Sequence, residues 1–194
     1  MFTRKSFCFS GWVILFCLVI VFGCSTPPKK LDPSISGPQL IVNPESIRLG
    51  VVKLMGTKIV FIELKPTNIV FEGAGFKPKD SVFITLTGPN QTKIVVAEAP
   101  IKPDGTFKAE VSKLTKITEI LRADAGFEVK EKYEEFIIIT QPPIPEGVYT
   151  AKVICMMSDL TAETKLTVKG PSIFNSLMDW LGKKKGKIRE EKAK

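Results

Sequence analysis

Residues 145–168, PEGVYTAKVICMMSDLTAETKLTV, decide the fold. Tyr149, Ala151, Val153 and Cys155 alternate with Thr150, Lys152 and Ile154, while Leu160, Ala162, Thr164, Leu166 and Val168 alternate with Thr161, Glu163, Lys165 and Thr167. A period of two gives a strand one face for a core and one for water. The spacing therefore predicts two strands, Tyr149–Met157 and Leu160–Val168, entered through the turn Pro145-Glu146-Gly147.

The same grammar runs upstream from about Leu40, in short stretches rich in Val, Ile, Phe and Thr broken by Gly, Pro, Asn or Asp. It predicts strands at Ser46–Val52, Lys58–Leu64, Asn68–Glu72, Ser81–Thr87, Thr92–Ala97, Thr106–Val111 and Phe136–Thr140. Gly88-Pro89-Asn90 and Pro103-Asp104-Gly105 are the corners between them. Many short strands at such spacing imply an all-β sandwich or barrel. Residues 40–65 are too few to bury a core of their own and are expected to add the first strands of the same body, the alternative being a small appended sheet.

Gly73-Ala74-Gly75-Phe76-Lys77-Pro78-Lys79-Asp80-Ser81-Val82 resembles the opening of bacterial immunoglobulin-like modules of cell-surface proteins. Pro103-Asp104-Gly105-Thr106-Phe107 and Pro145-Glu146-Gly147-Val148-Tyr149-Thr150 are similar to that family's later turns, so the resemblance spans roughly Ile69–Val168. It implies an immunoglobulin-like antiparallel β-sandwich over 40–170, with Phe76 plugging one end, and says nothing of a ligand. The stretch between Val111 and Phe136 is longer than such modules use. Leu114, Ile117, Ile120 and Leu121 recur there at helical spacing, which predicts a helical insertion over about 112–126 with Ser112 as cap and Gly126 as stop. Two roles stand for it, a binding loop on a rigid scaffold or a cover for an open sheet edge.

Composition closes several classes of chemistry. Of 194 residues none is His, so Ser-His-Asp and Cys-His catalysis and His-ligated metals are excluded. The carboxylates of Glu131, Glu134 and Glu135 stand among Lys130 and Lys132 without calcium-loop spacing, which makes a solvated, mixed-charge strip the expected reading and a carboxylate-based hydrolase the outlying one. No cofactor and no metal is expected. The formal charge of +8 sits at the ends of the chain: between Cys24 and Gly182, 19 basic residues face 18 acidic ones. No basic face is left for a nucleic acid.

Residues 1–23 have the layout of a signal peptide, with Arg4 and Lys5 before an uncharged apolar run from Phe7 to Gly23. Val21-Phe22-Gly23-Cys24 resembles the lipobox of bacterial lipoproteins; Gly23 and Cys24 fit, Val21 stands for the usual Leu, and Phe22 is bulkier than the family's residue. The resemblance implies that Cys24 carries a diacylglyceryl thioether, with acyl chains such as palmitate, as residue one of the mature protein. The competing reading is an uncleaved anchor, whose 17 apolar residues would span about 25 Å as a helix. Residues 24–39 are Pro-rich and polar and read as a tether. Ser25 after the cysteine resembles the outer-membrane-directed pattern if the host has two membranes. Cys155 remains as a lone thiol, in phase with the core face of its strand.

The strand grammar stops at Gly170-Pro171. In 171–194, Ile173, Phe174, Leu177, Trp180 and Leu181 share one side of a helix capped by Ser172, followed by the basic Lys183, Lys184 and Lys185. Such a combination suits an interfacial membrane or partner contact; docking on the sandwich, with a disordered tail, is the alternative. The whole predicts a non-catalytic binding or scaffolding lipoprotein of the cell envelope. Its partners would be the membrane and an envelope protein or glycan, and a further reading is an accessory part of an envelope or secretion assembly docking through the C-terminal helix.

Overall fold

The computed structural model describes residues 27–50, 52–55, 58–61, 68–129 and 133–191. In chain order its strands are β1 (Gln39–Asn43), β2 (Ser46–Arg48), β3 (Val52–Met55), β4 (Lys58–Phe61), β5 (Val70–Ala74), β6 (Ser81–Thr87) and β7 (Lys93–Pro100). They continue with β8 (Phe107–Glu110), β9 (Ala123–Val129), β10 (Tyr133–Ile139), β11 (Gly147–Cys155), β12 (Thr161–Lys169) and β13 (Ile188–Glu190). One helical turn, α1 (Lys113–Thr115), runs on into a π-turn at Lys116–Ile120, and α2 spans Ile173–Lys184.

The alternation around Tyr149 is realised as the antiparallel pair β11–β12, with Tyr149 opposite Leu166 and Val153 opposite Ala162. Their five-stranded sheet has the order β2-β12-β11-β6-β7 and curls into a half-barrel. A second sheet, β1-β5-β8, lies against it, and contacts between β1 and β12 and between β7 and β8 join the two. The fold is thus predominantly β. The inward faces supply a core of Phe71, Val82, Ile84, Leu86, Val96, Phe107, Tyr149, Ala151, Val153, Leu166 and Val168, all 2% exposed or less. At one end Phe76 packs edge-on against Phe107 with ring centroids 5.3 Å apart, the plug expected of it. Gly105, at φ +76°, makes the corner beneath it and accepts the Phe76 N–H at 3.1 Å.

Residues 40–65 do both of the things considered for them. β1 pairs with β5 and β2 pairs in parallel with β12, so the first strand is shared between the sheets, whereas β3 and β4 form a separate two-stranded hairpin. The single strand expected at Ser46–Val52 is broken at Leu49-Gly50, where the Leu49 N–H donates to the Lys169 carbonyl.

The insertion is shorter in helix and longer in strand than its periodicity suggests. Helical structure ends at Ile120, not at Gly126, because Ile117, Ile120 and Leu121 are already buried and Arg122 takes a left-handed φ of +50°. The Arg122 carbonyl then accepts from Thr140 and Gln141, fixing the start of β9. Gly126 is a strand residue opposite Phe136, whose ring occupies the space a Cβ would need. The ends of the mixed-charge run 128–135 belong to the antiparallel pair β9–β10, which extends the strand expected at Phe136 back to Tyr133; the side chains of 130–135 lie outside the described residues. The π-turn packs against β7, an edge of the five-stranded sheet, as the edge-cover reading requires.

The tail corrects a further expectation. Ile188–Glu190 is strand β13, paired in parallel with β10, and Ile188 and Ile137 are both buried. Arg189 holds it there, its guanidinium 3.7 Å from the Phe136 ring centroid and 3.0 Å from the Glu128 carboxylate. The third sheet, β13-β10-β9, therefore takes its edge strand from residues 188–190, and α2 lies against β3 and β13.

Candidate functional site

Ser172 starts α2 by accepting the Asn175 N–H at 3.2 Å, as its sequence position suggests. The helix stops where Gly186, at φ +68°, allows the Gly186 N–H to reach the Lys183 carbonyl and the Lys187 N–H the Gly182 carbonyl. Both ends are thus fixed by local hydrogen bonds. What α2 turns inward is the side carrying Met178, 3% exposed, and Gly182, with Asn175, Asp179 and Leu181 half-buried. Asn175 reaches across to the Leu49 carbonyl at 3.5 Å.

The apolar side of the helix faces out. Ile173 is 92% exposed, and Phe174, Leu177 and Trp180 are each more than half exposed. Leu181, grouped with them by periodicity, is set apart by its partial burial. Each large apolar side chain left in water forgoes about 1.5–3 kcal/mol of burial. Four on one stripe form a contiguous apolar patch of the kind that marks contact surfaces.

The basic residues beyond the stripe are not equivalent. Lys183 is paired with Glu190, whose carboxyl that hydrogen bond and charge hold below the usual range. Lys184, one turn beyond Trp180, carries its ammonium 5.4 Å from the indole centroid, on the line of the apolar stripe. Lys185 is exposed at the helix end. Part of the charge expected to act as a free tail is thus consumed within the fold.

The segment that follows Cys24 is held against the body. The Lys29 N–H donates to Asn43 Oδ1 at 2.8 Å while Asn43 Nδ2 donates to the Lys29 carbonyl at 3.0 Å. Asp32 and Gln39 make the same reciprocal pair. Lys29 also forms an ion pair with Glu45. Residues 27–39 are therefore a strap along β1 rather than a free tether, and Pro27, Lys29, Glu45, Thr167 and Lys169 line an open groove there. Cys24 and the apolar run before it lie outside the described residues.

Asp80 is a polar site that pattern reading passed over, although it stands inside the Gly-rich motif. Only 5% exposed, it accepts the Ser81 and Met157 N–H groups on one oxygen, at 2.7 and 3.0 Å, and the Ser158 hydroxyl on the other at 3.0 Å. Burial alone would raise its carboxyl; these hydrogen bonds outweigh burial and hold it below the usual range. It clamps the Met156–Ser158 turn to the start of β6, and both oxygens are engaged in that role. Cys155 beside it is buried, and burial, with the charge of Asp80, pushes its thiol up. The side chains of Glu131, Glu134 and Glu135 lie outside the described residues.

Among the described residues no group of His, Cys, Asp and Glu is arranged to hold a metal, and no helix is long and apolar enough to cross a membrane. In comparisons with known proteins, the chain matches no family model, no curated protein and no solved structure.

Proposed function

We propose that this chain is a lipid-anchored, non-catalytic protein of the cell envelope, whose body is an immunoglobulin-like sandwich and whose work is binding or scaffolding. The observation that carries the reading is the outward apolar stripe of α2 on a helix that is capped at both ends and docked by its other side. A surface that costs this much exposed apolar area is built for contact, not for solubility.

Two features support the immunoglobulin-like reading. The first strand divides between the sheets as β1 and β2, and the Tyr149 hydroxyl donates back to the Pro145 carbonyl at 2.8 Å, four residues upstream, as in a tyrosine corner. On this reading α1, β9 and β10 are an insertion between the frame strands β8 and β11, and function lies in what is added to the frame.

The anchor is Cys24, as the lipobox-like Val21-Phe22-Gly23-Cys24 implies, and Ser25 favours the outer membrane where the host has two. Labelling of growing cells with an alkyne fatty acid tests it: the wild-type chain is expected to take up label and Cys24→Ala to lose it. Undiminished labelling of Cys24→Ala overturns the anchor.

A second reading, an accessory subunit docking through α2, draws on the same stripe. Removal of residues 172–194 would also remove β13, so the discriminating variant is Phe174→Gln with Leu177→Gln, exposed positions that leave the helix seat intact. Crosslinked recovery of an envelope protein that this pair abolishes would favour the subunit.

A further inference from the structure

The strap and the helix are linked through β2. Lys29 contacts Asn43 and Glu45; the Glu45 carbonyl accepts from Thr167; Leu49 accepts from Asn175 in the first turn of α2. Glu45 and Leu49 are four residues apart, at most about 14 Å of chain. Cys24 precedes Pro27 by three residues, at most about 11 Å. Cys24 therefore stays within about 11 Å of chain of the strap, and the start of the apolar stripe at Ile173 and Phe174 lies one short strand, β2, beyond the Lys29–Glu45 contact.

The geometry points to a phospholipid bilayer as the occupant of the α2 stripe, with the helix lying in the interface beside the acylated Cys24 as a second point of attachment. This rests on the lipid-anchor reading above. Three observations favour a bilayer over a protein. The chain between anchor and strap is too short to hold the groove end of the body far from the membrane surface. Along its line the stripe is apolar from Ile173 through Trp180 and ends in Lys184, whose ammonium lies 5.4 Å from the indole centroid, the order that lets acyl chains take the apolar part and head groups the charge. Lys184 and Lys185 add attraction to anionic head groups. A tethered stripe needs little affinity of its own, because the anchor sets a high local concentration of lipid.

The consequence is orientation. A body fixed by its lipid alone would swivel about one point, while a body fixed by lipid and helix presents one constant side outward. β12 runs from the Met156–Ser158 turn toward α2, so that turn, with Met156 and Met157 exposed and clamped by Asp80, lies at the end of the strand away from the membrane.

Trp180 makes the test direct. The chain has two tryptophans; processing before Cys24 removes Trp12, and Trp12→Phe removes it from any unprocessed chain, so Trp180 is the sole tryptophan and is excited selectively over Tyr133 and Tyr149. The variant is reconstituted into vesicles of phosphatidylglycerol and phosphatidylcholine with brominated acyl chains, and the same preparation is assayed for fatty-acid label. The expected result is label together with a blue-shifted Trp180 emission that loses most of its intensity to bromine, an effect that weakens as phosphatidylglycerol is withdrawn and is abolished by Phe174→Gln with Leu177→Gln. Circular dichroism checks that the double variant stays folded. Label with an unshifted emission, quenched by aqueous iodide and not by bromine, overturns the bilayer seat and leaves the anchor standing. Bromine quenching without label overturns the anchor and supports the seat. Shielding of Trp180 in native membranes but not in vesicles assigns the stripe to a protein and overturns the proposal.

Discussion

The two-sheet frame and the layer added to it obey opposite rules. In the frame, one face of β5, β6, β8, β11 and β12 packs into a common apolar core, although Val148 and Ile154 of β11 stay exposed, so burial decides the structure and polar contacts finish its corners. In the added layer of β3–β4, β9–β10–β13 and α2, the helix turns an apolar stripe to solvent, and the layer is held by the buried Met178, Ile137 and Ile188 together with caps, an ion pair and a stacked guanidinium. The frame is carried by burial in one shared core, whereas the layer leaves an apolar stripe of α2 in solvent.

Mutations can break that contrast. The largest effect is expected from Leu166→Ala, which empties a fully buried site between the sheets and should lower stability by about 3–5 kcal/mol in denaturant titration, carrying frame and layer down together. Met178→Ala, at the inward side of α2, should cost about 2–3 kcal/mol. That loss should be local, seen as faster amide exchange in α2 and β13 with β6 and β11 still protected. Were both variants to unfold everything at once, frame and layer would be one cooperative unit. Tyr149→Phe removes the hydroxyl and with it its bonds to the Pro145 carbonyl and to the buried Thr92 side chain, and should cost about 1–2 kcal/mol while leaving the fold unchanged. Leu177→Ser, on the outward stripe, should fall within about 0.5 kcal/mol of wild type, since little burial is lost. A cost like that of Met178→Ala would show the stripe to be covered by the chain itself.

Acid sharpens the comparison without mutation. The carboxyls of Asp80 in the frame and Glu190 in the layer are both held below their ordinary range, Asp80 by hydrogen bonds that outweigh its burial and Glu190 by its hydrogen bond and charge pairing with Lys183. A carboxyl whose folded value is depressed contributes stability that is present above its unfolded value and lost as pH falls through the folded one. Little change is therefore expected between pH 7 and 5, and a decline below about pH 4. Salt should blunt the exposed Lys183–Glu190 pair and leave the buried Asp80 clamp nearly untouched.

Much of the frame was legible because its rules are local. Alternation located β6 to the residue and β11 and β12 to within two or three, and Gly105 and Phe76 announced their corner because a left-handed turn and a plugging ring need those residue types. The layer was less legible because its determinants are distant in sequence. Nothing near Gly126 says that Phe136 will cover it, and Ile188 gives a three-residue strand no pattern of its own without Ile137 beside it. Periodicity found the stripe of α2 but not its direction, which depends on Met178 and Gly182 meeting β3 and β13. Asp80 was visible as a letter in a motif, while its clamp spans 77 residues.

One feature of the layer governs how the chain is made. The residues that pair with β10 on this side are at 188–190, well downstream of it, so the strand Tyr133–Ile139, with its consecutive Ile137, Ile138 and Ile139, has an open edge until residues 188–190 have been made. Stop codons or bulky insertions shortly before Ile188 should then lower the yield of soluble folded protein, by leaving that edge free to pair with its counterpart on another nascent molecule.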